Sequence, residues 1–208
     1  MLLAFDTAAP TVTVALHDGT DVIASATSPQ GMKHGEQLAP LIERVLAEGG
    51  ARPAGLTAVA VGVGPGPFTG LRVGLVTART MAHVLDVPVH GVCSLDILAL
   101  EAVETGAVTS GFAVATDARR KEVYLASYDA AGRRLDDPVV DRPASLATDQ
   151  PVVGEGARLY PDAFPDARRP ERPDARWLAR GVAGRRFTVL EPVPLYLRRP
   201  DAVPAPSR

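Results

Sequence analysis

The sequence predicts a two-lobed α/β protein whose second lobe is a reduced echo of the first. Three short apolar runs separated by turn residues open the chain, and helix-like and strand-like segments then alternate to about residue 104. From residue 111 a strand ending in Asp, a polar turn and a second strand begin the pattern again. The lobes divide as residues 1–107 and 108–208.

The first three strands fall at residues 2–7, 11–16 and 22–24, with turns at Ala9-Pro10 and Asp18-Gly19 between them, which reads as an antiparallel meander. A helix fits residues 36–48: at about 100° per residue, Leu38, Leu41, Ile42, Val45 and Leu46 share one arc, opposite Glu36, Glu43, Arg44 and Glu48. Pro40 belongs in its first turn or kinks it. An apolar strand at 57–63, a Gly- and Pro-rich loop at 64–70, a helix to about Leu85, a strand at 87–92 and a helix at 95–104 complete the lobe. In the second lobe, 112–116 and 122–128 read as strands and 133–140 as a third. Residues 143–186 are rich in Pro, Asp and Arg, and only short helices are expected there.

The chain has 208 residues, is 46% hydrophobic and carries a net charge of −2, which favours a folded protein over a disordered chain or a general polyanion binder. The charge is uneven. Residues 1–157 hold 11 Lys and Arg against 18 Asp and Glu, whereas 158–208 hold 11 against 6, so the tail is a candidate RNA contact. No apolar run reaches the roughly 20 residues of a membrane span, and no leader pattern opens the chain, so a cytoplasmic location is expected. The single Cys93 lies between a strand-like and a helix-like run and reads as a packing residue.

Asp6-Thr7 ends the first strand, the position at which actin-type ATPases place an acid that organises Mg²⁺ and phosphate. The turn that follows, Thr7-Ala8-Ala9-Pro10, has no glycine, and Pro10 lacks an amide donor. Asp117 in Ala115-Thr116-Asp117-Ala118-Arg119 is its counterpart in the second lobe, so Asp6, Thr7 and Asp117 mark a vestigial nucleotide cleft. Gly154-Glu155-Gly156 is a bare GxG and specifies little. His17, His34, His83 and His90 include no pair at i, i+4, so no metal site is read. Ser94, near His90 and Asp96, lacks the Gly-x-Ser-x-Gly elbow of a serine hydrolase.

The segment Gly64-Pro65-Gly66-Pro67-Phe68-Thr69-Gly70-Leu71-Arg72 packs three glycines and two prolines into its first seven residues, a tight path into a helix start. Along that helix Arg79, His83 and Asp86 lie within about 40° of Arg72, and apolar residues fill most of the remaining circumference. One sheet face cannot cover so wide an apolar surface. The helix is therefore expected to join the 36–48 helix in a partner interface through Leu38, Ile42, Val45, Val73, Val76, Thr77, Thr80 and Met81.

The ordered set of 3–7, 14–16, 34–41, the 64–72 loop (Gly64, Pro65, Gly66, Phe68, Thr69, Gly70, Arg72), Asp117-Ala118-Arg119 with Glu122-Val123-Tyr124, and 191–198 resembles the TsaB (YeaZ) family from residue 2 to about 200. Pro67 stands where that family usually has serine, and Pro194-Leu195 lengthens the usual Pro-x-Tyr-Leu-Arg ending. The resemblance implies a two-lobed actin-like, Hsp70-like (ASKHA) fold with ribonuclease H-like lobes. It also implies a non-catalytic scaffold role beside a TsaD-like catalytic subunit that places threonylcarbamoyladenosine next to the anticodon of tRNAs reading codons beginning with A. A TsaE-like ATPase joins through that pair, tRNA is met indirectly, and a homodimer is expected when the partner is absent. On this reading the chain binds no cofactor alone, and ATP and a metal ion belong to the partners. The alternatives are a stand-alone glycoprotease-like peptidase and an ASKHA-type small-molecule kinase.

Overall fold

The computed structural model describes residues 1–29 and 34–198. Strands β1 (Leu2–Asp6), β2 (Thr13–His17), β3 (Val22–Thr27), β4 (Ala58–Gly62) and β5 (Val89–Val92) form one sheet in the order β3-β2-β1-β4-β5. Strands β6 (Phe112–Asp117), β7 (Val123–Tyr128), β8 (Val139–Asp141), β9 (Val152–Val153) and β10 (Ala167–Arg168) form a second in the order β10-β9-β6-β7-β8. The two orders are the same when each sheet is read from its own first strand. In both, the first three strands run antiparallel and the last two add parallel to the first. The duplication is therefore present in the topology, and Asp6 and Asp117 close equivalent strands.

Helices α1 (His34–Glu48) and α2 (Phe68–Leu85) cover one face of the first sheet. Alternation along β1 and β2 sends Leu3, Phe5, Val14 and Leu16 to that face, where they meet Leu38, Ile42, Val45, Leu71 and Leu75. Each such fully buried side chain is worth about 1.5–3 kcal/mol relative to exposure. Pro40 sits inside α1 and not in its first turn, because the helix starts at His34, two residues before the expected boundary.

Helix α3 (Ser94–Glu104) follows the first sheet but packs mainly on the second: Leu95, Leu98, Ala99 and Ala102 meet Phe112, Val114, Ala126, Tyr128 and Val153. Helix α5 (Ala175–Ala183) makes the reverse journey, placing Ala175, Leu178 and Ala179 on Leu2, Ala4, Ala15 and Ala60 of the first sheet, with Ile97 of α3 in the same cluster. Covered from both sides, α3 is apolar almost all round. The short α4 (Glu155–Leu159) lies against β6, and Ala157 joins Phe164, Val123 and Leu125 on the second sheet's outer face.

The expected division at residue 107 thus separates the two sheets but not the whole chain. Besides α5, the final segment returns to the first lobe: Gly91 and Leu190 form an antiparallel bridge, and the Leu195 amide donates to Val63 O at 2.9 Å. One further departure falls between 143 and 186: the two-residue strands β9 and β10 are too short for periodicity to reveal. The helices there are short as expected, and α5 starts at an Asp174 cap whose carboxylate accepts the Arg176 amide at 2.8 Å. No described helix is long and apolar enough to cross a membrane.

Candidate functional site

The Asp6 carboxylate lies beneath the floor of the interlobe cleft, 1% exposed. Its Oδ1 accepts the Ala8 amide at 2.8 Å and its Oδ2 the Ser94 hydroxyl at 2.6 Å. Burial pushes its pKa up, opposed by the bonds from Ser94 and Ala8 and by the charge of His34. Gly62 on the adjacent strand is required here, because a Cβ at that position would overlap Asp6 Oδ2. The Thr7 hydroxyl donates to Gly70 O at 2.8 Å, and a Cβ on Gly74 would overlap Thr7 Oγ1. His34 ties the start of α1 to the same turn through Nε2 and Ala9 O, 2.7 Å apart. Asp6 and Thr7 are therefore committed to holding the strand end, the 64–72 loop and α2 together.

Asp117 repeats the turn in the second lobe, its Oδ1 accepting the Arg119 amide at 2.9 Å and its Oδ2 pairing with the Arg119 guanidinium at 3.2 Å. Unlike Asp6, Asp117 lines the cleft, together with Pro10, Pro65, Pro67, Ser94 and Arg172 among others, around a cavity of about 20 Å³. That volume accepts little more than one water. Small-molecule pockets span about 300 Å³ or more. Glu155, which the sequence reading set aside with its flanking glycines, is buried in the wall and accepts from Arg172 Nε at 2.9 Å. Gly154 (φ 109°) and Gly156 let the chain pass against Ala115 O, which a Cβ at either position would crowd. Among the described residues no group of three or more His, Cys, Asp or Glu converges as a metal-ligand set.

The 64–72 loop has one glycine in the left-handed region, Gly64 at φ 97°. Gly66 and Gly70 are needed for space, since a Cβ on either would lie 2.5 Å from a carbonyl oxygen, that of Ala8 or Thr7. Pro65 lines the cleft and Thr69 is exposed. Phe68, the first residue of α2, is 42% exposed and stacks on Tyr196, and Arg72 lies over its ring.

The eight residues expected at a partner interface separate into two groups. Leu38, Ile42 and Val45 lie in the chain's own core, so a contact through them is corrected: the apolar arc of α1 is one stripe and the sheet uses all of it. Val76 and Thr80 are exposed, and Val73, Thr77 and Met81 half-buried. The buried side of α2 is made largely of small residues, Gly70, Gly74, Ala78 and Ala82, with Leu71 and Leu75. This close approach leaves Phe68, Val76 and Val84 outside. Phe68, Arg72, Val76, Thr80 and Val84 form a continuous exposed row at i+4 spacing, with Val76 63% and Val84 73% exposed. Val84 is not among the contact residues that the sequence nominates, although its place four residues beyond Thr80 carries the signal.

Residues 22–160 match the family model for TsaD, tRNA N6-adenosine threonylcarbamoyltransferase. An uncharacterized protein of Mycobacterium tuberculosis is 39% identical over 98% of this chain and 94% of its own length. The tRNA threonylcarbamoyladenosine biosynthesis protein TsaB of Escherichia coli is 31% identical over 77% of this chain and 74% of its own. The structure of YeaZ from Pseudomonas aeruginosa superposes with a TM-score of 0.78 at 30% identity, covering 94% of this chain and 99% of that one. With two sheets of one topology flanking a cleft, the chain has the two-lobed α/β fold of YeaZ, and it belongs to the TsaB (YeaZ) family.

Proposed function

We propose that this chain is a non-catalytic subunit in the biosynthesis of threonylcarbamoyladenosine on tRNA. It docks through the exposed row of α2 onto a TsaD-like catalytic subunit. The observation that carries the reading is the contrast between two surfaces. In the cleft, Asp6 and Thr7 are consumed by internal bonds and the open space is about 20 Å³. Outside it, Val76 and Val84 stand exposed on a helix whose inner face is already satisfied. The TsaB names of its relatives supply the pathway. ATP and metal chemistry are assigned to the partners, a TsaE-like ATPase joins through the pair, and a second copy covers the row when the partner is absent.

A peptidase reading is raised by a Pseudomonas aeruginosa structure described as similar to peptidase YEAZ. Its best nucleophile here, Ser94, is buried and donates to a carboxylate instead of to a histidine.

The test is reconstitution. The chain is co-purified with a TsaD-like subunit and tRNA modification is measured with each protein alone and together. The expected result is modification only when both are present. Turnover of peptide or tRNA by this chain alone, or a full rate from the partner without it, contradicts the proposal.

A further inference from the structure

On the side of the first sheet away from α2, a groove runs between α3 and α5. Leu100 and Glu104 of α3, Trp177 and Arg180 of α5, and Gly184 and Arg186 beyond it enclose about 500 Å³ of open space. Trp177 is the chain's single tryptophan. It packs partly on the cluster beneath α5, and the Arg180 guanidinium sits 5.1 Å from its ring centroid.

The charges around the groove do not cancel. Arg176 is held by Asp174 at 2.6 Å, and Arg186 donates from Nη1 to Glu104 Oε1 at 2.6 Å, leaving further N–H groups on its fork. Glu101, on the same helix, has its pKa raised to about 7 by burial and by Asp174, against the charge of Arg176 and a bond from Trp177, so it adds less than a full negative charge at neutral pH. Arg180 lies over the indole face, and the exposed Arg185, beside the lining residues Gly184 and Arg186 in the chain, has no carboxylate partner among the described residues. The surplus is positive and lies next to an aromatic platform.

We propose that this groove binds an unpaired nucleotide of an RNA strand, its base on the Arg180 guanidinium that covers Trp177 and its flanking phosphates on Arg186 and the neighbouring Arg185. An indole and a guanidinium both offer flat faces to any base, and arginine forks suit phosphate oxygens. The groove is open to solvent, which admits a strand and gives a free mononucleotide little enclosure. Its position lets RNA and a protein partner on α2 engage the first sheet from opposite sides. The choice of RNA as the polyanion rests on the proposed role in tRNA modification.

The single tryptophan provides the test. A short single-stranded oligoribonucleotide is titrated into the full chain without any partner protein, so that a failure of docking through α2 leaves the result readable. Saturable quenching of Trp177 is expected, with AMP at least about tenfold weaker than the strand. Arg180→Ala should weaken strand binding by about tenfold. Arg185→Ala, which disturbs no packed contact, should flatten the slope of log K against log salt by about 0.7. Melting temperatures of both variants should match the parent. Absence of quenching, equal affinity for AMP and the strand, or unchanged affinity and salt slope in both variants would overturn the proposal. So would quenching by a protein subunit in a chain that binds no RNA, which would make the groove a protein interface.

Discussion

Tyr196 stacks on Phe68 with ring centroids 5.3 Å apart and planes 21° from parallel, and the Arg72 guanidinium lies 3.8 Å from the Phe68 centroid on the way to Tyr196 Oη. The two segments that mark the chain most strongly in sequence, the 64–72 loop and the 191–198 ending, are therefore one structure. Beyond Tyr196, Arg198 donates to Ala118 O at 3.1 Å and pairs with Glu122, so the ending spans from the first lobe to the second.

Replacing Tyr196 by Ala should remove the stack and the Arg72 contact while leaving both sheets intact. The expected cost is about 0.5–1.5 kcal/mol, read as a lower midpoint in chemical denaturation with an unchanged m-value. An unchanged midpoint would show that the ending contributes nothing to the stability of the two-lobed unit.

The glycines separate into those that need space and those that do not. Gly62→Ala must displace Asp6 Oδ2 from its bond with Ser94 and should cost about 3 kcal/mol or more, whereas Gly55→Ala, with no neighbour within 4 Å of the added Cβ, should fall within about 0.5 kcal/mol of the parent. Thermal denaturation of the two variants side by side checks the contrast. Equal melting temperatures would contradict the packing described around Asp6.

Glu101 gives stability a pH dependence with a definite sign. Its folded-state pKa of about 7 is above the ordinary 4.5, so the folded state holds the proton more tightly than the unfolded chain does. The stabilising contribution is fully present below about pH 4.5 and is lost as pH rises through about 7. Glu101→Gln should therefore be more stable than the parent at pH 8, with most of the advantage gone at pH 5. Denaturation curves at the two pH values measure this, and an advantage of equal size at both would exclude the carboxyl as the source.

Much of this architecture is legible in the sequence because the signals are local. The alternation of Leu3 and Phe5 with Ala4, the amphipathic arc of α1 and the terminal Asp of β1 and β6 each declare themselves within a few residues. What stays hidden depends on distant partners. The wide apolar circumference of α2 predicts more than one covered face, but only the packed structure shows that Gly70, Gly74 and Ala78 turn inward and Val76 and Val84 outward. The exchange of α3 and α5 between sheets is likewise invisible to periodicity, since a helix pattern names a buried face without naming what buries it. Glu155 escaped because its glycines are needed by Ala115 O, a neighbour 40 residues away in the chain.

On the proposed reading the exposed row on α2 docks a partner subunit and is not part of the fold. Val76→Glu together with Val84→Glu places two charges on side chains that are 63% and 73% exposed, so the isolated chain should keep its melting temperature to within a few degrees. Leu38→Glu, at a side chain 1% exposed, should unfold it. The most direct measurement is sedimentation of the Val76→Glu, Val84→Glu chain with a TsaD-like subunit, with tRNA modification by the mixture followed in parallel. Loss of the complex, with modification reduced at least about tenfold in a chain that remains folded, is the predicted result. A folded double variant that assembles and supports modification like the parent contradicts the account.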